Sequence, residues 1–295
     1  MNSALFKVLN LKKPTRVFDY IVESTSQVLP SKSAIKKAFK KKHILINGLV
    51  ATTGDWLKVG DNVSYNPGEI HLQKVFPLDL EILFEDEFIA VINKPAGYSV
   101  SGNFHKTIQN ALSHNLRSST KIDALSIFRP VHRLDKLTTG ILLIAKTKSA
   151  QISLGKQFEL QEIPKTYYAL VKGKLEGEGF FDLPIEGLSS FTEFKSLKIE
   201  KSLSYDFVSL VVLKPKTGRT HQLRIHLAQA GFPIIGDYVH DTKNVLKGKG
   251  LFLAACKLSF THPDTSEFMT FEIPIPSKYD SLFERELRRW EKFKT

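Results

Sequence analysis

Asp135 stands in the segment Arg129-Pro-Val-His132-Arg133-Leu-Asp135-Lys136-Leu-Thr138-Thr139-Gly140, directly before the apolar run Ile141–Ala145. Such a run reads as a buried strand, so the carboxylate sits on a tight, charged turn at the entrance to a core. Flanked by Arg133 and Lys136, it can be held ionised and aimed at a ligand; a solvated Asp-Lys turn is the competing reading. A second segment is Lys165-Thr-Tyr167-Tyr168-Ala-Leu-Val-Lys-Gly173. Strand alternation puts Tyr167, Ala169 and Val171 on one face and Tyr168 and Leu170 on the other, so one tyrosine can face a pocket while its neighbour packs outward. Plain packing produces the same pattern.

The third segment is Lys216-Thr-Gly-Arg219-Thr220-His221-Gln222-Leu223-Arg224-Ile-His226-Leu-Ala-Gln-Ala-Gly231. Thr220 as N-cap, Gly231 as C-terminal stop, and Leu223, Leu227 and Ala230 as a packing stripe predict a helix of about ten residues. Arg219, His221 and Arg224 then gather near its N-terminus, where backbone N–H groups also favour a phosphate or carboxylate. His221 and His226 are five apart rather than four, and no carboxylate completes a set of ligands, so no metal is expected. The sequence has no G-x-x-x-x-G-K-[ST], no G-x-G-x-x-G and no G-x-S-x-G, and Lys247-Gly-Lys-Gly250 lacks the spacing and hydroxyl of a phosphate loop. Phosphoryl transfer, dinucleotide redox chemistry and serine hydrolysis lose support.

These segments need a scaffold. From Pro77 onward short β-rich runs alternate with fewer helical stretches: Glu81–Phe84, Ile89–Asn93, Gly140–Ala145, Tyr167–Val171, Val208–Leu213 and Leu251–Ala255. The mixture predicts an α+β domain, residues 77–295, with a mixed or antiparallel sheet and helices against it. Near its end Phe283, Leu287 and Trp290 mark an amphipathic helix docking on the body. No fixed-period repeat or low-complexity segment is present.

Ahead of that domain the charge is concentrated. Residues 1–63 hold 11 Lys/Arg and 4 Asp/Glu, net +7, against +5 for the other 232 residues. Ser33–Phe39 has helical spacing of Ile35, Ala38 and Phe39, with Lys36, Lys37, Lys40, Lys41 and Lys42 on or just past it. A short strand over His43–Ile46 with an Asn47-Gly48 turn follows, then a strand-like piece, Leu57–Tyr65, broken at Gly60-Asp61. Residues 64–76, with Pro67-Gly68 and mixed polarity, read as a linker.

The whole chain has 295 residues, 42% of them apolar, and a formal net charge of +12. A field of that sign concentrates polyanions: RNA, DNA or anionic lipid. Met1–Pro14 lacks the continuous apolar stretch of a secretory leader, no run reaches membrane-spanning length, and Cys256 is the single cysteine. A cytoplasmic, reducing location without membrane attachment is expected, with no intrachain disulfide.

Taken in order, the three segments resemble the RluA-type family of pseudouridine synthases. His132-Arg-Leu-Asp135 with Thr138–Gly140 is similar to the family's catalytic loop, Lys165-x-Tyr167-x-Ala to its tyrosine strand, and Arg219-Thr-His-Gln-Leu-Arg224 to its arginine helix. Asn93-Lys94-Pro95-Ala96-Gly97 and Gly231-Phe-Pro-Ile-Ile-Gly236-Asp237 resemble two further family turns. The basic front resembles an S4 RNA-binding domain, from about Arg16 through Lys42, Ile46–Gly48 and Leu57–Asp61. Thr139 stands where the family usually has serine, and Ala254 where it commonly has histidine, which bears on fine positioning or substrate choice.

The resemblance implies isomerisation of uridine to pseudouridine in structured RNA, with ribosomal RNA favoured and transfer RNA as the alternative acceptor. It makes Asp135 the essential carboxylate, Tyr167 the residue that stacks on the target base, and Arg224 the ion-pair partner of Asp135. Arg133 would fill the space left by the flipped nucleotide, and His132, Thr138, Thr139, Arg219, His221, Gln222 and Leu223 would line the substrate site. Arg16 and the five lysines of the basic helix would lie along phosphates. A base inside a helix must be extruded before it can be modified, and an aromatic face and a guanidinium are suitable replacements for lost stacking. The reaction cleaves C1′–N1, turns the uracil and joins C1′ to C5; it is redox-neutral, so no cofactor is implied. Asp135 can attack sugar or base covalently or remove a ribose proton, and Tyr167 can help remove the C5 proton. A monomer is expected. Two rivals are a ribosome-assembly factor that binds RNA without turnover and a DNA-binding module driven by the basic front.

Overall fold

The computed structural model describes residues 4–8, 10, 11, 13–24, 29, 31–66, 75–241 and 248–294. The chain divides into two compact units, Met1–Gln73 and Lys74–Thr295. In the first, β1 (Ala4–Lys7), α1 (Val17–Ser24), α2 (Lys32–Lys40), β2 (Ile44–Ile46), β3 (Leu49–Val50) and β4 (Asn62–Tyr65) build an antiparallel sheet ordered β1-β4-β2-β3. The Ser31 hydroxyl caps α2 by accepting the Ala34 N–H at 3.1 Å. Ile35, Ala38 and Phe39 face Val17 and Ile21 in the core, so Lys36, Lys37, Lys40, Lys41 and Lys42 are left exposed. Asn47 and Gly48 both have positive φ, 50° and 83°, as a two-residue hairpin turn requires. The Asn47 side chain then donates to Asp61 Oδ1 and accepts the Asn62 N–H, both at 2.8 Å. The predicted strand from Leu57 is shorter than expected: Leu57–Asp61 is a turn, and only Asn62–Tyr65 pairs. A boundary at residue 63 therefore cuts a strand, and residues 67–74 of the expected linker lie outside the described residues.

The second unit contains β5 (Glu81–Glu85), β6 (Ile89–Lys94), α3 (Ile108–Asn115), β7 (Ala124–Pro130), β8 (Thr139–Thr147), α4 (Lys148–Glu159) and β9 (Lys165–Lys172). It continues with β10 (Glu178–Phe181), β11 (Thr192–Ser202), β12 (Asp206–Pro215), α5 (Gln222–Gln229), β13 (Leu253–Thr261), β14 (Phe268–Glu272) and α6 (Lys278–Phe293). The sheet order is β10-β11-β12-β9-β13-β8-β6-β5, with β14 on β13 and β7 on β8. It is mixed, because β8 and β13 run parallel among antiparallel neighbours.

Continuous apolar runs mark strands covered on both faces. Ala90, Ile92, Leu142 and Ile144 meet α3, while Ile89, Val91, Ile141 and Leu143 meet α4. A third cluster joins β9 and β12 to α5 and to Tyr279, Leu282 and Phe283 of α6. Gly140, with φ 117°, opens β8 beside β13; a Cβ there would stand 2.1 Å from the Ala255 carbonyl oxygen, so only glycine permits the approach. In α6 the amphipathic pattern hides a polar residue: Glu286 is fully buried and accepts the Ser202 hydroxyl at 2.6 Å.

Candidate active site

Asp135 lies in the turn between β7 and β8. Leu134 before it is buried in the core beneath α3, and Lys94, at the end of β6, fastens the residues after it. Lys94 is fully buried, and its ammonium donates to the carbonyls of Thr138 at 2.8 Å, Pro95 at 3.0 Å and Lys136 at 3.3 Å. Three acceptors satisfy its three donors. Burial nevertheless pulls its pKa down to about 8, against the opposing pull of Asp135.

Asp135 faces a cavity of about 510 Å³ walled by the β7–β8 turn, Tyr167 of β9, and the Pro215–Arg224 segment that enters α5. Its Oδ2 meets Arg224 Nη1 at 3.2 Å and His221 Nε2 at 3.8 Å. Tyr167 is partly buried on the cavity side of β9, whereas Tyr168 lines a separate pocket beyond Lys165. Burial, seconded by the Asp135 charge, pushes the Tyr167 phenol well above its ordinary range, so it is held neutral. Arg133 is exposed on the same wall.

The structure brings Asp135, Tyr167, Arg224, His132, Arg133, Thr138, Arg219, His221, Gln222 and Leu223 to one cavity. Several have other duties than expected. Gln222 is buried with both donors and both acceptors in use: its oxygen accepts from Thr217 and the Arg219 N–H, and its nitrogen donates to Phe191 and Thr192. Its amide therefore shapes the cavity wall. His132 stacks on Phe158, and its Nε2 accepts the Leu143 N–H at 3.0 Å; burial takes its pKa to about 3, which keeps that nitrogen an acceptor. Arg219 turns its Nε to the Ser189 carbonyl at 3.0 Å. Thr139 does not line the cavity: it pairs in parallel with Ala254, and its hydroxyl is buried without a hydrogen-bond partner among the described residues.

The helix also starts and packs differently. The N-cap position is His221, in the left-handed conformation with φ 55°, rather than Thr220, which lines the cavity. Ala230 is exposed and lies outside the packing stripe, whereas Leu223 and Leu227 are buried. Gly231 does end the helix: its N–H bonds Ala228 and the next N–H, of Phe232, reaches back to Leu227, the paired bonds of a Schellman motif.

Asp237 and Lys94 serve the site without having received a role from the sequence. Asp237 is 1% exposed and grips Arg224 with both oxygens, each at 2.7 Å. Lys94 supports the Asp135 turn from below. Each is a lone charge at the end of an apolar run, Ile89–Asn93 or Phe232–Gly236, and a charge so placed needs a buried partner. A carboxylate with an arginine behind it, open to a cavity of nucleoside size with an aromatic ring on its wall, can hold a planar base and act on the adjoining sugar.

Residues 88–229 match the family model described as RNA pseudouridylate synthase. The chain is 31% identical to ribosomal large subunit pseudouridine synthase D of Nitrosomonas europaea, over 89% of this chain and 83% of that protein. It is 35% identical to ribosomal large subunit pseudouridine synthase C of Escherichia coli K12, over 83% and 85%. An uncharacterized RNA pseudouridine synthase of Aquifex aeolicus shares 34% identity over 86% and 88%. Among solved structures, human RNA pseudouridylate synthase domain containing 1 superposes with a TM-score of 0.56 at 27% identity, over 67% of this chain and 84% of that one. No helix among the described residues is long and apolar enough to cross a membrane. With matches of this extent around a pocketed carboxylate, the chain belongs to the RluA-type family of RNA pseudouridine synthases, enzymes that isomerise uridine to pseudouridine in RNA.

Proposed function

We propose that Asp135 is the reacting carboxylate, that Tyr167 stacks on the extruded uracil, that Arg224 holds Asp135 oriented toward it, and that the substrate is ribosomal RNA. The contact of Arg224 with Asp135 at the cavity wall carries this reading. The carboxylate is aimed before substrate arrives, so no reorganisation accompanies the chemical step. Once C1′–N1 breaks, the neutral Tyr167 ring keeps the free uracil stacked while it turns; C1′ then joins C5, and the proton lost from C5 is balanced by the one gained at N1. Arg133, exposed at the rim, fills the gap the flipped nucleotide leaves. The first unit acts as an S4-like RNA-binding domain whose exposed lysines 36, 37, 40, 41 and 42, with Arg16, lie along phosphates. The ribosomal substrate is supported by the two relatives named for the large ribosomal subunit. The enzyme works as a monomer in the cytoplasm.

The test incubates the purified chain, and its Asp135→Asn variant, with unmodified ribosomal and transfer RNA and with ribosomal precursor particles. New pseudouridines are mapped by carbodiimide-dependent reverse-transcription stops. Stops in ribosomal RNA made by the wild type and absent with Asp135→Asn are expected. Stops confined to transfer RNA would overturn the substrate, and an active Asp135→Asn would overturn the assignment of the carboxylate.

A further inference from the structure

The polar contacts around Asp135 close into a ring through one short turn, Asp237–His240. While both Asp237 oxygens hold Arg224, its Oδ1 also accepts the backbone N–H of Val239 at 3.0 Å and of His240 at 3.2 Å. The His240 side chain then turns to His221: its Nε2 lies 3.0 Å from His221 Nδ1, with the rings at 85°. His221 completes the ring by placing Nε2 at 3.8 Å from Asp135 Oδ2, the oxygen that Arg224 also meets. Both groups that approach Asp135 are thus held by the same short turn.

His221 occupies the left-handed region, φ 55° and ψ 20°, which a residue with a Cβ enters at a cost, and its side chain makes no cap bond in return. That conformation coincides with the contact of its ring to His240. Two neutral imidazole nitrogens at 3.0 Å share one proton. Were His221 to supply it, its Nε2 would turn a bare lone pair to the Asp135 carboxylate. With His240 as donor, His221 carries its own proton on Nε2 and presents an N–H to that carboxylate. Asp135, Asp237 and Arg224 are charged groups around the pair, and the Asp135 carboxylate, 3.8 Å from His221 Nε2, favours the second arrangement.

We infer that His240 is a positioning residue: by donating its Nε2–H to His221 Nδ1 it locks His221 in the tautomer whose Nε2–H faces Asp135. With Oδ2 turned to His221 and Arg224, Oδ1 becomes the atom offered to substrate. The inference rests on the reading of Asp135 as the reacting carboxylate, but its structural half is measurable without substrate.

Ring-nitrogen ¹⁵N spectra of the full chain at about pH 8, above the ordinary histidine range, would be compared for wild type, His240→Phe and His240→Gln, with His221→Phe to assign the signals. Glutamine places an amide donor where Nε2 stood. In the wild type and His240→Gln, His221 should be protonated on Nε2 and bare on Nδ1; in His240→Phe the two forms should mix. In the same order, kcat should stay, stay, and fall about tenfold with KM unchanged, the size expected for loss of an orienting hydrogen bond. Protonation of wild-type His221 on Nδ1 would overturn the inference, as would a His240→Phe variant with unaltered tautomer or unaltered kcat. Activity surviving in Asp135→Asn while the tautomer is as stated would instead remove the Asp135 reading, and the positioning role with it.

Discussion

Asp237 holds Arg224 by two hydrogen bonds of 2.7 Å, and Arg224 meets Asp135 at 3.2 Å with the nitrogen left over. The guanidinium is a rigid fork, so fixing two of its nitrogens fixes the third. Burial pushes the Asp237 carboxyl up, but the Arg224 bonds and charge, with the N–H groups of His240 and Val239, outweigh it and hold the carboxyl below its ordinary range. Asp135 is therefore positioned at one remove, by an acid that never reaches the cavity.

Replacing Asp237 by Asn keeps the shape and removes the charge. Arg224 is 3% exposed, so its charge would be left with Asp135 alone. Breaking a buried pair in this way costs about 3–5 kcal/mol. Urea unfolding of Asp237→Asn should show a loss of that order, together with reduced kcat; an unchanged midpoint would mean that the pair contributes nothing net to the fold.

Lys94 makes the stability of the fold depend on alkaline pH. Its folded pKa of about 8 lies below its ordinary value of 10.5, so between these limits the unfolded chain binds more protons and stability rises with pH. A Lys94→Met variant lacks that titration and is destabilised by carbonyls of the Asp135 turn left unpaired. The stability gap between wild type and variant should widen by about 2–3 kcal/mol across this window, read from unfolding curves at several pH values. A gap that narrows would show that some other group titrates.

Tyr167 is expected to work as a neutral ring and not as a standing phenolate, because burial and Asp135 both oppose ionisation. Tyr167→Phe should keep RNA affinity within about twofold, whereas Tyr167→Leu loses stacking of about 1–3 kcal/mol in binding. Loss of the hydroxyl should slow turnover about 100-fold if it relays the C5 proton. Full turnover by Tyr167→Phe would exclude the hydroxyl from that step.

The basic helix makes a prediction about salt. Lys36, Lys37 and Lys40 are exposed along α2. Replacing all three by Gln should weaken RNA binding at low salt and reduce the slope of log K against log salt by about one for each phosphate no longer neutralised. Catalysis on saturating RNA should be unaffected. A salt slope equal to that of the wild type would mean that the lysines do not lie along the RNA.

Much of this was legible in the residues themselves, because periodicity reports burial locally. The alternation in Lys165–Gly173 separated Tyr167 from Tyr168, the run Ile141–Ala145 marked a strand buried on both faces, and Gly231 marked the end of α5. Asp135, Tyr167 and Arg224 could be singled out together only because their three segments resemble the RluA-type family; taken alone, Asp135 also fits a solvated turn and Tyr167 plain packing. What sequence could not decide is where a polar side chain spends its hydrogen bonds. Gln222 and His132 sit in the right segments, yet long-range partners, Phe191, Thr192 and Leu143, consume the groups expected to meet substrate. The converse holds for Asp237, Lys94 and His240, whose importance arises from contacts 13, 42 to 44 and 19 residues away. Local pattern fixes which face of an element is apolar, but the pairing of buried charges is settled only when the sheet brings distant turns together, since an unpaired charge there is the costlier alternative.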